Sequence, residues 1–205
     1  MIKYIVFDFD GTLADTFEII KEIAKSEIKG VSDKDFELLR DEGIKNLMKK
    51  KKIPIWELPK IVLNVTSKLK KKENIKLFPE MVDSIKILSK SYKIGIVSSN
   101  SEENIIQTLK KYNINNLFEF VYAQSSIFGK YLVLKKMCKK YQINPSEIVY
   151  VGDEDRDIIA AKKINLKVIA VTWGYNSEKR LHKENPDYLV KFPKQLIKVI
   201  SNLSK

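Results

Sequence analysis

Short β-branched and aromatic runs recur along the chain, with amphipathic stretches between them. Tyr4–Phe9, Lys93–Val97, Glu119–Ala123, Glu147–Val151 and Lys167–Val171 read as strands. Three of these runs contain IGIV, IVYV and VIAV and are continuously apolar, as strands of a parallel sheet are when helices cover both faces. The intervening MVDSIKILSK, NIIQTLKKY, YLVLKKMCKKY and DIIAAKKI carry apolar residues at helical spacing. Strand and helix alternate. The pattern therefore predicts a doubly wound, Rossmann-like α/β core on a five-stranded parallel sheet.

One interval breaks the alternation. More than 80 residues separate the first strand from the second, and Thr16 to Phe78 is helical throughout, with EIIKEIAKSEI, DFELLRDEGIKNLMKK and LPKIVLNVTSKLKKK as its segments. Pro54 and Pro59 punctuate the stretch and Pro79 marks the return to the core. The expected organisation is a core of residues 1–15 and 79–205 with a small α-helical cap domain, residues 16–78, inserted after the first strand.

Charge changes this picture. The chain of 205 residues carries a net +12, and Thr16 to Phe78, with 16 Lys+Arg against 10 Asp+Glu, supplies +6 of it. The runs Lys49–Lys52 and Lys70–Lys72 invite a nucleic-acid reading. Against it, the excess is lysine rather than arginine, the usual base reader, and no nucleic-acid module signature is present. Hydrophobic and charged fractions of 44% and 31% are those of a folded globular chain. The single cysteine, Cys138, provides no disulfide framework. With no signal-peptide pattern at the N-terminus and lysines interrupting every apolar segment, a soluble cytoplasmic protein without membrane association is expected.

In an open α/β sheet ligands bind beyond the carboxyl ends of the strands, so the residues found there matter most. Asp8 and Asp10 with Gly11 and Thr12 follow the first strand, and Ser98, Ser99 and Asn100 the second. Gly129 and Lys130 come after the third strand, and Gly152, Asp153 and Asp157 after the fourth. Two carboxylates as close as Asp8 and Asp10 repel one another unless a cation or a shared proton sits between them.

DFDGT at Asp8–Thr12, Ser98 in IGIVSSN, Lys130 ahead of a helix and VGDEDRD at Val151–Asp157 resemble, in order, the four motifs of the haloacid dehalogenase superfamily. The resemblance spans Tyr4 to Val171, and the helical insertion is similar to the small cap of phosphoglycolate phosphatases and their relatives. It implies a Mg²⁺-dependent phosphatase acting on a small anionic phosphomonoester. Asp8 would be the nucleophile and Asp10 the acid and base. Lys130 would offset charge on Asp8 and the phosphate, while Ser98 and Thr12, with backbone amides near Gly11 and Ser99, would bind the phosphoryl oxygens. Asp8, the backbone carbonyl of Asp10 and Asp153 would hold the metal, with Asp157 orienting water beside it. A phosphomutase using the same aspartate pair, and a basic nucleic-acid-binding relative, remain alternatives.

Other residues read structurally. Asp15 and Glu18 resemble a capping pair opening the first cap helix, and Ser101 fits the N-cap of the helix after Ser98. Glu154 reads as solvent-exposed and Trp56 as cap core. Trp173-Gly174-Tyr175 reads as either pocket wall or loop packing, and His182 as part of a solvated helix.

Overall fold

The computed structural model describes residues 1–28, 30–69, 75–124 and 129–203; the lysine run at Lys70–Lys72 lies outside them. Six parallel strands form one sheet: β1 (Tyr4–Phe7), β2 (Lys93–Ser98), β3 (Phe118–Ala123), β4 (Ile148–Gly152), β5 (Lys167–Val171) and β6 (Tyr188–Val190). Their order is β3-β2-β1-β4-β5-β6. The chain reverses its direction of winding between β1 and β4, and this switch point opens a crevice at the carboxyl ends of those two strands. Phe7 pairs with both Ile96 and Val151, so the chain leaves β1 flanked by β2 and β4.

Among the described residues, four α-helices lie between β1 and the helix that leads into β2: α1 (Phe17–Glu27), α2 (Asp33–Glu42), α3 (Ile44–Lys50) and α4 (Leu58–Leu69). Around the sheet lie α5 (Met81–Leu88), α6 (Glu102–Lys111), α7 (Lys130–Tyr141), α8 (Asp155–Lys163), α9 (Glu178–Lys183) and α10 (Pro193–Leu203). Successive strand residues point to opposite faces. Ile5, Phe7, Ile96 and Val151 meet α5, α6 and α10 through Met81, Ile85, Ile105 and Leu196. Val6, Tyr150 and Val168 meet α7, α8 and α9 through Leu134, Ile158 and Leu181. The insertion has an apolar cluster of its own, Ile23, Ala24, Phe36, Val65 and Leu69.

Several expectations change. The sheet has six strands rather than five, because Tyr188–Val190 adds at the edge of β5 in parallel register. Three residues are too short a run to show a period. The first strand ends at Phe7, so Asp8 and Asp10 lie in the turn beyond it. Glu147 belongs to a 3₁₀ turn before β4.

The segment DFELLRDEGIKNLMKK is two helices, broken where Gly43 adopts φ 85°. Asp15 does not cap α1: its N–H donates to the Lys76 carbonyl, and Thr16 takes the N-cap position. Ser101 does cap α6, accepting from the Asn104 N–H. Trp56 is 78% exposed rather than core, on a single 3₁₀ turn after Pro54. No described helix is long and apolar enough to cross a membrane.

Candidate active site

The turn after β1 is shaped by Gly11, whose φ of 77° places its N–H on the Ala14 carbonyl. A Cβ at Gly11 would lie 2.2 Å from Asp153 Oδ2, and one at Gly174 would lie 2.3 Å from the same oxygen. Two loops can approach this carboxylate because both are glycine where they meet it.

Asp8 is buried, with its backbone N–H on the Val151 carbonyl and its Oδ1 accepting from the Phe9 N–H. Its Oδ2 lies 2.5 Å from Lys130 Nζ, and the same ammonium is ion-paired with Asp157. Asp157 sits in the first turn of α8, where its Oδ2 accepts from the Glu154 N–H. Asp153 Oδ1 accepts from Thr12 Oγ1 at 2.6 Å and its Oδ2 from the Tyr175 N–H at 2.7 Å. One oxygen from each of Asp8, Asp153 and Asp157 falls within 4.8 Å of the others.

Burial is the main force on Asp8, Asp153 and Lys130. It lifts the Asp8 carboxyl to about 7, with Lys130 opposing the rise and Asp157 adding to it. Asp153 is raised well above the carboxylate range, first by burial and then by Glu154, Asp157 and Asp8. Burial also works against the charge on Lys130, but Asp157 and Asp8 outweigh it and hold the ammonium on. Three buried carboxylates around one ammonium are short of positive charge, and an all-oxygen donor set suits a hard divalent cation. The residues present fit such an ion.

Asp10 stands outside this triad. Asn100 Nδ2 lies 3.1 and 3.2 Å from its two carboxylate oxygens. Burial raises its carboxyl to about 6, opposed by hydrogen bonds from Asn100 and Thr16. The Thr16 hydroxyl is also paired with Tyr175 Oη, 2.5 Å away. Of the four metal-site residues expected, Asp8, Asp153 and Asp157 bring carboxylates together, while Asp10, expected there through its backbone carbonyl, has its side chain on Asn100.

Thr12 also differs from expectation: it is fully buried and its hydroxyl serves Asp153 rather than facing an open phosphate site. Ser98, Ser99 and Lys130 do line one cleft, together with Gln124 and Arg156. Ser98 Oγ accepts from the Asn100 N–H, which locks the turn after β2. Glu154 is no solvent-facing carboxylate. It caps α8 and its side chain, 17% exposed, pairs with Arg156. Trp173 donates from Nε1 to the Thr12 carbonyl and meets Phe78 edge-on. The loop after β5 thus braces the turn after β1.

Asn100, Thr16, Tyr175 and Arg156 are the site residues that the motif pattern left unassigned. Asn100 carried a usable signal, being polar and next to the carboxyl end of β2. Tyr175 and Thr16 meet only through folding, 159 positions apart.

A family model for haloacid dehalogenase-like hydrolases matches residues 5–171. A phosphoglycolate phosphatase of Synechococcus elongatus is 30% identical over the full length of both chains. A pyrophosphatase, PpaX, of Oceanobacillus iheyensis is 22% identical over 98% of each. A crystal structure of a predicted phosphatase from Clostridium acetobutylicum superposes with a TM-score of 0.81 at 21% identity, over 98% of this chain and 99% of the other; it is similar in fold.

Proposed function

This chain belongs to the haloacid dehalogenase-like hydrolase family, and from that premise we propose that it is a Mg²⁺-dependent phosphatase hydrolysing a small anionic phosphomonoester through an aspartyl phosphate on Asp8. One arrangement carries the reading. Lys130 pairs with Asp8 inside a buried triad, while Asp10 is held apart on Asn100 with its carboxyl near 6. Two aspartates in different environments are suited to different tasks, nucleophile and acid.

Asp8, Asp153 and Asp157 would hold the ion, with the Asp10 carbonyl completing the set. The cation would keep Asp8 ionised and screen its repulsion with phosphate. An Asp8 oxygen attacks phosphorus, the bond to the ester oxygen breaks, and Asp10 passes its proton to that oxygen. Asp10, now ionised, takes a proton from the water that attacks the acyl phosphate, releasing inorganic phosphate and restoring Asp8. Lys130 and Ser98 offset charge on the transferred group. In this reading residues 16–78 form the cap over a core of 1–15 and 79–205.

The test is phosphate release from a panel containing 2-phosphoglycolate, pyrophosphate and hexose phosphates, with Mg²⁺ and after chelation. The wild type should release phosphate only with metal. Asp8→Asn should fold but lose turnover, since an amide cannot form the acyl phosphate. Turnover by pure Asp8→Asn, or full activity after exhaustive chelation, overturns the mechanism. An isomerised sugar phosphate without phosphate release selects a mutase instead.

A further inference from the structure

Only three of the 38 basic side chains are arginine: Arg40, Arg156 and Arg180. None is a generic surface cation. Arg40 lies over the Phe17 ring, which in turn meets Tyr175. Arg180 binds Asp155 and the Leu39 carbonyl, joining α9 to the C-terminal end of α2. Arg156 faces the cleft that also holds Ser98, Ser99, Gln124 and Lys130. A chain that covers itself with lysine has placed arginine where geometry matters, and a planar five-donor fork does what an ammonium cannot.

Arg156 is the arginine that lines the cleft with donors to spare. Its Nε and Nη2 both fall on one oxygen, Glu154 Oε1. That anchor occupies one edge of the guanidinium, and no hydrogen bond joins Nη1 to any of the described residues. The side chain is 41% exposed, so a ligand in the cleft can reach it. Its charge is felt at both Asp8 and Asp10, where it favours the ionised carboxylates. Glu154 fixes the fork's position because it is itself the N-cap of α8.

We propose that Arg156 is a phosphoryl-binding residue: seated on Glu154, its guanidinium donates to the non-bridging oxygens of the phosphoryl group in the cleft it shares with Ser98, Ser99 and Lys130. The inference rests on the phosphatase reading of this site and deepens it. Charge in phosphoryl transfer spreads over the three equatorial oxygens. A donor placed there serves every substrate alike, whatever leaves. Loss of Arg156 therefore lowers kcat/KM by the same factor across esters, and selectivity is unchanged. One well-placed donor to developing charge is worth about 10²–10³ in other enzymes; beside Lys130, about 10–100-fold is the expectation here.

The experiment measures binding of inorganic phosphate by calorimetry, with Mg²⁺ and without any ester. The proteins are wild type, Arg156→Gln, Arg156→Lys and the double variant Glu154→Gln/Arg156→Gln, each checked by circular dichroism. Arg156→Gln should weaken binding about 10–100-fold and Arg156→Lys should recover part of it, because the charge returns without the fork. The double variant should bind as weakly as Arg156→Gln.

Affinity within about twofold of wild type in folded Arg156→Gln overturns the proposal, and so does absence of phosphate binding by wild type. Recovery in the double variant also overturns it, since Arg156 would then serve only to neutralise Glu154. If Arg156→Gln does not fold, Arg156→Lys decides: undiminished affinity there overturns the proposal. A wild type that binds phosphate through Arg156 yet turns over no ester refutes the phosphatase reading alone.

Discussion

Asp10 depends on its neighbours for the protonation state that an acid near neutral pH needs. Its carboxyl, raised from 3.8 to about 6 by burial, is restrained by Asn100 and Thr16. A folded-state value above the unfolded one means that the native protein prefers the proton. Asp10's contribution to stability is thus complete below about pH 3.8 and is lost as pH rises through about 6. Asp10→Asn keeps an oxygen for Asn100 but carries no charge. It should lower turnover by about 10²–10⁴ while melting higher than wild type at pH 8, with a smaller difference at pH 4.5, both measured metal-free. A difference that shrinks toward pH 8 would mean that Asp10 is not held protonated. Asp8, Asp10, Ser98 and Lys130 were legible as candidates because each lies at the end of a strand run or opens a helix pattern. Asp10's restraint by Thr16 was not legible, since Thr16 is fixed there by Tyr175, which meets it only through folding.

Elements join at points where one residue serves two of them. Gly43 ends α2 and opens α3 at φ 85°, ψ 172°, a region essentially reserved for glycine. A Cβ there would also come within 2.4 Å of the Arg180 guanidinium, which is committed to Asp155 and Leu39. Gly43→Ala should therefore cost roughly 1–3 kcal/mol of backbone strain, plus whatever Arg180 loses, read from the urea midpoint. Ser101→Ala, which removes only a cap, should cost about 1 kcal/mol. Repeating Gly43→Ala in an Arg180→Ala background separates the two parts. An undiminished penalty there assigns all of it to the backbone. At this scale β2, β4 and β5 were legible through continuous apolar runs, because both their faces are covered, and β1 and β3 through β-branched and aromatic runs. The helix break at Gly43 was hidden inside a continuous helical period, and β6 inside three residues.

Over the whole molecule, the carboxylates of Asp8, Asp153 and Asp157 are buried together. With Asp8 raised to about 7 and Asp153 well above its ordinary range, the metal-free fold favours the protonated form of these two. Their stabilising contribution is present in full below about pH 3.8 and is lost as pH climbs through about 7 and beyond. A divalent cation held by the triad would reverse this dependence. It would compete with protons for the carboxylates and stabilise only the native state, in which the three oxygens lie together. The melting temperature gained on adding Mg²⁺ to chelated protein should therefore grow steadily between pH 5.5 and 8. Potassium chloride at equal ionic strength controls for screening on a chain of net +12. Asp153→Asn can keep its Oδ1 on Thr12 but turns an amide NH2 toward the Tyr175 N–H, so it should flatten the gain at some cost in metal-free stability, read in the chelated protein. A gain that is equal at both ends of the pH range, or that survives in Asp153→Asn, would place the ion elsewhere.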